Sequence, residues 1–529
     1  RAHRSMRVAW SVVEGESFSV PFNLSAHSQR LWITADKDGL EHELHIKGTN
    51  WAGFQADGCV HELWKYTVDE YISFLVEHDF NAVRLPLSAA IVAAPSWQID
   101  GGFTCGGAYA SWESLDILDA VVNKLQVAGV FVALDVHTLS HPEHNDPLWC
   151  LSDGGCDAET EELIFASWEK LANRYCSYPN VILADLFNEP YHATWKGELG
   201  GSDWGDFAKR MGDFVLGICP RWLILVEGVG GNDGQCGAMG HGGCWWGENI
   251  ISAREHPIQL ALPNRLVLSP HVYGHGSQAY MQASDFPANM PEVWSDHWAN
   301  VSVDTGIPVL LGEWGGVWEV TTRGNKRTYP STVAWQHELR DFLVARNVGF
   351  FYWTLNDNSY NTGSLFGDAH RTERLEMLAP MPVTLIADLQ FTWNALPPSA
   401  PPPPAPPSPP PPPLPSSPPS EPPPPPSPHP PPSPYPSPPP PAYPAYLPQM
   451  PPPPPPPIPP APSTPPPPPP LLPAPRVPPD SILGYVTLDG WPLGPLDTAG
   501  AVLLAIVVVA LGGALCVRAG RRARSAAAR

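Results

Sequence analysis

The chain has 529 residues, a net charge of −22 and 72 prolines that are far from evenly spread. Residues 396–480 are almost wholly proline with Ser, Ala and a few Tyr, so composition alone separates one large globular part from a tail that cannot build a core. The acidic balance excludes nucleic acid as a partner and suits a neutral or cationic substrate.

In chain order, residues 1–42 give short alternating runs, Ser17-Phe18-Ser19-Val20 and Leu31-Trp32-Ile33-Thr34, which predict N-terminal edge strands, the remnant of something longer. No apolar leader precedes them, because Met6-Arg7-Val8-Ala9-Trp10 soon meets Glu14 and Glu16. A chain opening at Arg1 is therefore expected to be a fragment or a processed form. Residues 43–395 carry a repeat. Apolar strand-like runs near 44–49 and at 82–86, 130–135, 181–187, 223–226, 266–268, 309–311 and 349–353 alternate with helix-period segments. Ile164, Trp168, Leu171, Ala172 and Tyr175 share one helix face; Trp335, Leu339, Phe342 and Leu343 share another. Strands alternating with helices in this way predict an α/β fold, a (β/α)8 TIM barrel with long loops. An open doubly wound sheet is the alternative, weakened because no glycine-rich phosphate fingerprint follows the first strand.

Beyond the barrel, residues 396–480 form a Pro-rich linker. As an extended left-handed helix rising roughly 3.1 Å per residue, it would hold the barrel on the order of 250 Å from whatever anchors it. Residues 481–498 are juxtamembrane. Residues 499–517 are uncharged and rich in Leu, Val, Ala and Ile, long enough to span a bilayer as one helix. Asp480, Asp489 and Asp497 precede them, while Arg518, Arg521, Arg522 and Arg524 follow in a basic tail, 518–529. That asymmetry predicts a single-pass membrane protein with the barrel extracellular, at the cell surface or in the secretory lumen, and the tail cytosolic. A removable tail for a lipid anchor is the rival, which the arginines suit less well. Eight of the nine cysteines precede the proline tract, an even set that predicts disulfides, with Cys150/Cys156 and Cys236/Cys244 as local pairs. Sequons at Asn23-Leu24-Ser25 and Asn300-Val301-Ser302 fit a secreted glycoprotein. The protein is expected to be monomeric.

The strand tips carry the chemistry. In order they present Trp51, Arg84, Asp135 and His137, Asn188 and Glu189, Glu227, His271 and Tyr273, Glu313, and Trp353. A barrel gathers these at one face, where two carboxylates flanked by Arg, His, Asn and Tyr can divide into an acid and a nucleophile. Retaining glycoside hydrolysis needs two such carboxyl groups roughly 5–5.5 Å apart. Pyranose rings offer apolar C–H faces to aromatic rings, and Trp51, Trp245, Trp246 and Trp353 are candidate platforms, of which Trp353 and Trp51 are named as sites.

The chain here resembles glycoside hydrolase family 5, the cellulase family, on Gly48-Thr49-Asn50-Trp51-Ala52-Gly53-Phe54, Asn81-Ala82-Val83-Arg84-Leu85-Pro86, Leu134-Asp135-Val136-His137, Phe187-Asn188-Glu189-Pro190, Val226-Glu227-Gly228, Ser269-Pro270-His271-Val272-Tyr273, Gly312-Glu313-Trp314-Gly315 and Phe351-Tyr352-Trp353-Thr354-Leu355-Asn356. Cys244-Trp245-Trp246-Gly247 and the run from Asn356 through Gly363 resemble the bacterial endo-1,4-β-glucanase branch. The resemblance implies Glu189 as acid/base, Glu313 as nucleophile, Asn188 on the sugar 2-hydroxyl, Arg84 and Tyr273 holding the nucleophile, His137 and His271 as substrate-binding histidines and Trp353 as the platform beside the cleaved bond. It implies no cofactor, and a β-glucan polysaccharide as partner. Asp357, Tyr360, Asn361 and Ser364 depart from the family's last motif, which puts the loop after the eighth strand in question. The Ser-Pro-Pro repeats resemble hydroxyproline-rich glycoproteins of plant and green-algal walls, implying hydroxylation and O-glycosylation; a plain spacer is the simpler reading.

Duller readings stand beside these. Glu189 could be a helix-start carboxylate and Glu313 an ion-pair partner of Arg84, readings that the paired tips oppose. Glu227 has the context of a supporting rather than a catalytic carboxylate. His137, His141, Glu143 and His144 cluster as a metal site would, but His137 is claimed by substrate, so no metal is expected. The function expected is cleavage of internal β-1,4-glucosidic bonds of cellulose or a related wall glucan by double displacement. The alternatives are a β-mannanase or mixed-linkage glucanase, or a wall scaffold protein that binds glycan without cutting it.

Overall fold

The computed structural model describes residues 21–36, 39–99, 105–139, 158–191, 193–196, 202–231, 235–322, 325–356, 362–367 and 370–389. The expected strand at 17–20, the pair Cys150/Cys156, His141, Glu143 and His144, the loop 357–361 and everything from 390 onward, linker and apolar span included, lie outside the described residues. Among the described residues no helix is long and apolar enough to cross a membrane.

Three short strands come first: β1 (Phe22–His27), β2 (Arg30–Ala35) and β3 (Glu41–Glu43), paired antiparallel in that order. They are a sheet of their own rather than edges of the main one. Their alternating inward residues Phe22, Leu24, Leu31 and Ile33 pack with Ala82, Phe131, Leu223 and Leu310, which begin strands of the main sheet. The small sheet thus seals the N-terminal end of the barrel with apolar surface.

The main sheet begins with β4 (Lys47–Asn50), followed by helix α1 (Val68–Glu77), β5 (Ala82–Ser88), β6 (Phe131–Thr138), β7 (Val181–Asp185) and β8 (Leu223–Val226). A small antiparallel pair, β9 (Val229–Gly231) and β10 (Cys244–Asn249), fills the next loop. Then come β11 (Leu266–Leu268), β12 (His271–Tyr273) and β13 (Leu310–Gly315). A hairpin of β14 (Glu319–Thr322) and β15 (Asn325–Thr328) precedes the last strand, β16 (Gly349–Tyr352). The nine-stranded sheet has the order β11-β8-β7-β6-β5-β4-β16-β13-β12, every neighbour parallel. β11 and β12 are one strand broken at Ser269-Pro270, because proline has no N–H to give the ladder. The first half pairs with β8 and the second with β13, and Leu268 also bridges Val309. The pairings therefore return to their start, as in a (β/α)8 barrel.

Strands buried on both faces read as mostly apolar runs, and β5, β7, β8 and β13 are buried at every residue, Arg84, Asp185 and Glu313 included. The two predicted helix faces, Ile164 to Tyr175 and Trp335 to Leu343, are buried against the sheet. Helix α1 starts at a capping box, with the Thr67 hydroxyl accepting from Glu70 N–H and the Glu70 carboxylate accepting from Thr67 N–H. Disulfides join Cys59 to Cys105, Cys176 to Cys219 and Cys236 to Cys244. The third was expected from its short spacing; the first two span 46 and 43 residues, which spacing could not reveal.

Candidate active site

Glu189 lies just past β7 and Glu313 within β13, so each stands at the C-terminal end of the barrel. His271 on β12 is the register partner of Glu313, which puts their side chains on one face. Glu189, His271 and Glu313 each place a polar atom within 4.8 Å of the others. Glu189 Oε1 lies 3.0 Å from His271 Nδ1. Both oxygens of Glu313 accept hydrogen bonds, from Arg84 Nη1 at 2.7 Å and from the Tyr273 hydroxyl at 2.8 Å. The two carboxyl groups thus meet across the barrel mouth, with Glu189 the more open: its side chain is 17% exposed and that of Glu313 5%.

Arg84, on β5 and fully buried, ties this mouth together. Its Nε donates to Asp185 at 2.8 Å, Nη1 to Asn50 and Glu313 at 3.0 and 2.7 Å, and Nη2 to Asn188 and Glu227 at 3.0 Å each. Asp135 adds an ion pair at 3.0 Å. Four carboxyl groups crowd around one guanidinium, which favours their protonated forms. Burial, then the charge of Glu227, hold Asp185 well above the usual carboxylate range. Burial likewise raises Glu227. Glu189 is held well above that range by burial first, then by Glu313 and Glu227. Burial pushes His271 down to about 3, so its ring stays neutral beside Glu189. In His137 burial opposes the charged form, but Asp135 at 2.7 Å outweighs it and raises the pKa. Burial and its carboxylate neighbours thus favour the protonated form of Glu189, with a neutral imidazole against it.

The aromatic residues divide. Trp353 is stacked parallel to His137, with centroids 5.6 Å apart and planes at 10°, and forms a small apolar patch with Ala52, Tyr273 and half-buried Trp245. The peptide bond after it, to Thr354, is cis. Trp51 does not serve as expected. It has no exposed surface and packs on Tyr71 of α1, centroids 4.9 Å apart, so neither ring face is open to a sugar. The Trp51 backbone still donates to Arg84 O of β5 at 2.9 Å, and its indole belongs to the core that includes Tyr71 and Phe74 of α1. Trp245 tilts over Tyr273 at 5.5 Å, and Trp246 stacks on Tyr191 at 4.1 Å. Of the departures in the last motif, Ser364 is buried. Asn356 before that loop pins the first and last strands together by exchanging two hydrogen bonds with the Ala52 backbone.

The structure adds partners that motif reading had left out. Asp185 and Asn50 both hold Arg84, and Glu227 accepts from the Glu189 backbone N–H at 2.7 Å. The signal for Asp185 was present: an acidic residue inside an apolar strand run demands a buried partner. Among the described residues, three clusters have the donor types and spacing to ligate a metal. Two share His271 and consist of the site residues just described, already bonded to Arg84 and to each other; the third contains Cys236 and Cys244, which are joined as a disulfide.

Comparison with known proteins agrees with this geometry. A model of the cellulase family, glycosyl hydrolase family 5, matches residues 42–359. An endoglucanase of Paenibacillus polymyxa is 33% identical over 334 residues, 62% of this chain and 79% of that protein. The major extracellular endoglucanase of Xanthomonas campestris pv. campestris is 32% identical over 369 residues, 69% and 71% of the two chains. An endocellulase of Pyrococcus horikoshii in complex with cellotetraose superposes with a TM-score of 0.59 at 30% identity, covering 68% of this chain and 98% of that one.

Proposed function

The chain belongs to glycosyl hydrolase family 5, and from that premise we propose that it cleaves internal β-1,4-glucosidic bonds of cellulose or a related β-glucan with retention of configuration. The observation that carries the mechanism is the facing pair, Glu189 and Glu313, with polar atoms within 4.8 Å of each other at the barrel mouth. Glu313, both oxygens held by donors, attacks the anomeric carbon while Glu189, protonated because it is buried among carboxylates, gives its proton to the departing glycosidic oxygen. A glycosyl ester on Glu313 results. Glu189, now a carboxylate, takes a proton from water as that water attacks the same carbon and frees Glu313. Asn188, half-buried beside Arg84, is the donor for the sugar 2-hydroxyl, and Trp353 with His137 makes the platform under the ring to be cleaved. Turnover of soluble cellulose by wild type, Glu189→Gln and Glu313→Gln tests this: both variants should lose most activity, and an inactive wild type would favour a glycan-binding scaffold instead.

The tail belongs to the same proposal. Residues 499–517 anchor the protein in a membrane, with 396–480 as a stiff spacer and the barrel outside. Protease protection of the two ends in sealed membrane vesicles tests it; a chain released by a carbonate wash would rule out the span.

A further inference from the structure

Glu189 has a backbone φ of 45°, a left-handed conformation that non-glycine residues adopt only where neighbours hold them. Its amide N–H donates to Glu227 Oε2 at 2.7 Å. Glu227 is fully buried just past β8, and its own main chain is fixed where Trp204 Nε1 donates to its carbonyl at 2.8 Å. Glu227 Oε1 accepts from Arg84 Nη2 at 3.0 Å and lies 3.1 Å from His271 Nε2. The other nitrogen of that imidazole is 3.0 Å from Glu189 Oε1. Glu227 therefore reaches Glu189 directly at the main chain, while its Oε1 only stands beside the imidazole that touches the Glu189 carboxyl, with no hydrogen bond to Nε2. The third wall is bare backbone: Gly247, φ 70°, passes so close that a Cβ there would stand 3.0 Å from Glu227 Oε2 and 3.3 Å from Glu189 Cγ.

We propose that Glu227 is the positioning residue of the acid/base, fixing the main chain of Glu189 so that its carboxyl proton points at the leaving oxygen. This rests on the reading of Glu189 as acid/base. Arg84, Asp135, Asp185, His271 and Glu313 also face Glu227, yet losing it falls on Glu189 rather than on Glu313. Arg84 keeps Asn50, Asp135, Asp185, Asn188 and Glu313 as partners, whereas Glu227 is the acceptor for the Glu189 N–H.

Glu227→Gln in the full chain tests it. The glutamine fills the same space but turns one acceptor into an NH2 that meets the N–H of Glu189 or of Arg84. A cello-oligosaccharide has a poor leaving group and needs the acid, whereas dinitrophenyl β-cellobioside leaves without a proton. Losing one hydrogen bond of this kind predicts a fall of roughly 10- to 100-fold in kcat/KM on the oligosaccharide. On the activated substrate the expected fall is less than about threefold. A residue that merely supports the fold would lower both together, and equal falls, or none, overturn the proposal. Where the Gln variant fails to fold, Glu227→Asp decides: it keeps the charge, its shorter arm misses the Glu189 amide, and the same split is required of it. Glu189→Gln run beside them separates the two readings. Should it lose both substrates equally, the acid/base assignment fails; should it show the split while both Glu227 variants do not, only the positioning role fails.

Discussion

Arg84→Lys keeps one positive charge at the centre of the site and removes its shape. The guanidinium serves six oxygen partners, on Asn50, Asp135, Asp185, Asn188, Glu227 and Glu313, with its rigid fork of five N–H groups. A lysine ammonium has three N–H groups radiating from one point, so at least half of those buried oxygens lose their donor. At roughly 1–3 kcal/mol for each orphaned group the deficit is about 3–9 kcal/mol, comparable with the whole stability of a typical domain at about 5–15 kcal/mol. The variant should melt at a clearly lower temperature by circular dichroism. Stripped of their guanidinium, the carboxylates bind protons more readily in the folded state, so the deficit should be largest at about pH 8 and shrink toward about pH 5. Turnover of soluble cellulose should fall by more than roughly 100-fold, because Glu313 loses one of its two donors and Asn188 its anchor. A melting temperature unchanged across this range together with near-normal turnover would refute the claim that the fork, rather than its charge, organises the site.

Three further outcomes follow from the same geometry. Burial and the neighbouring Glu313 and Glu227 raise Glu189, so the donor stays protonated past the ordinary glutamate range; kcat/KM should hold there and fall only as pH rises through the elevated value, and a basic limb near about 4.5 would contradict it. Asp185 is raised in the folded state, so its contribution is present below the unfolded pKa and lost as pH rises through the folded one; Asp185→Asn should therefore gain melting temperature relative to wild type as pH increases, and a variant that falls further relative to wild type with rising pH would show the sign to be wrong. Trp51→Ala should cost about 3–5 kcal/mol of stability in denaturant titration with KM nearly unchanged, whereas Trp353→Ala, also at a buried residue, should raise KM and lower kcat in addition to its cost in stability; a KM raised by Trp51→Ala and unmoved by Trp353→Ala would restore Trp51 as the platform.

Period and punctuation determine much of this protein without coordinates. Alternation of apolar runs with helical faces predicts the barrel because a strand buried on both sides must be largely apolar, as β5, β7 and β8 are apart from Arg84, Ser88 and Asp185. Polar residues at the ends of such strands have nowhere to go but the mouth, so Arg84, Asn188, Glu189, His271, Tyr273, Glu313 and Trp353 could be named from the strand tips and motifs alone. What the tertiary structure decided is which groups share a volume. Asp185, Asn50 and Glu227 come from three separate strands or their ends and meet only at Arg84, and no local pattern encodes that meeting. Trp51 shows the converse: its motif placed it at the mouth, but its indole is buried against Tyr71. Local sequence sets what each segment must hide, because hydrophobic burial acts residue by residue; pairing of charges in a low-dielectric interior depends on distances that exist only once the barrel has closed.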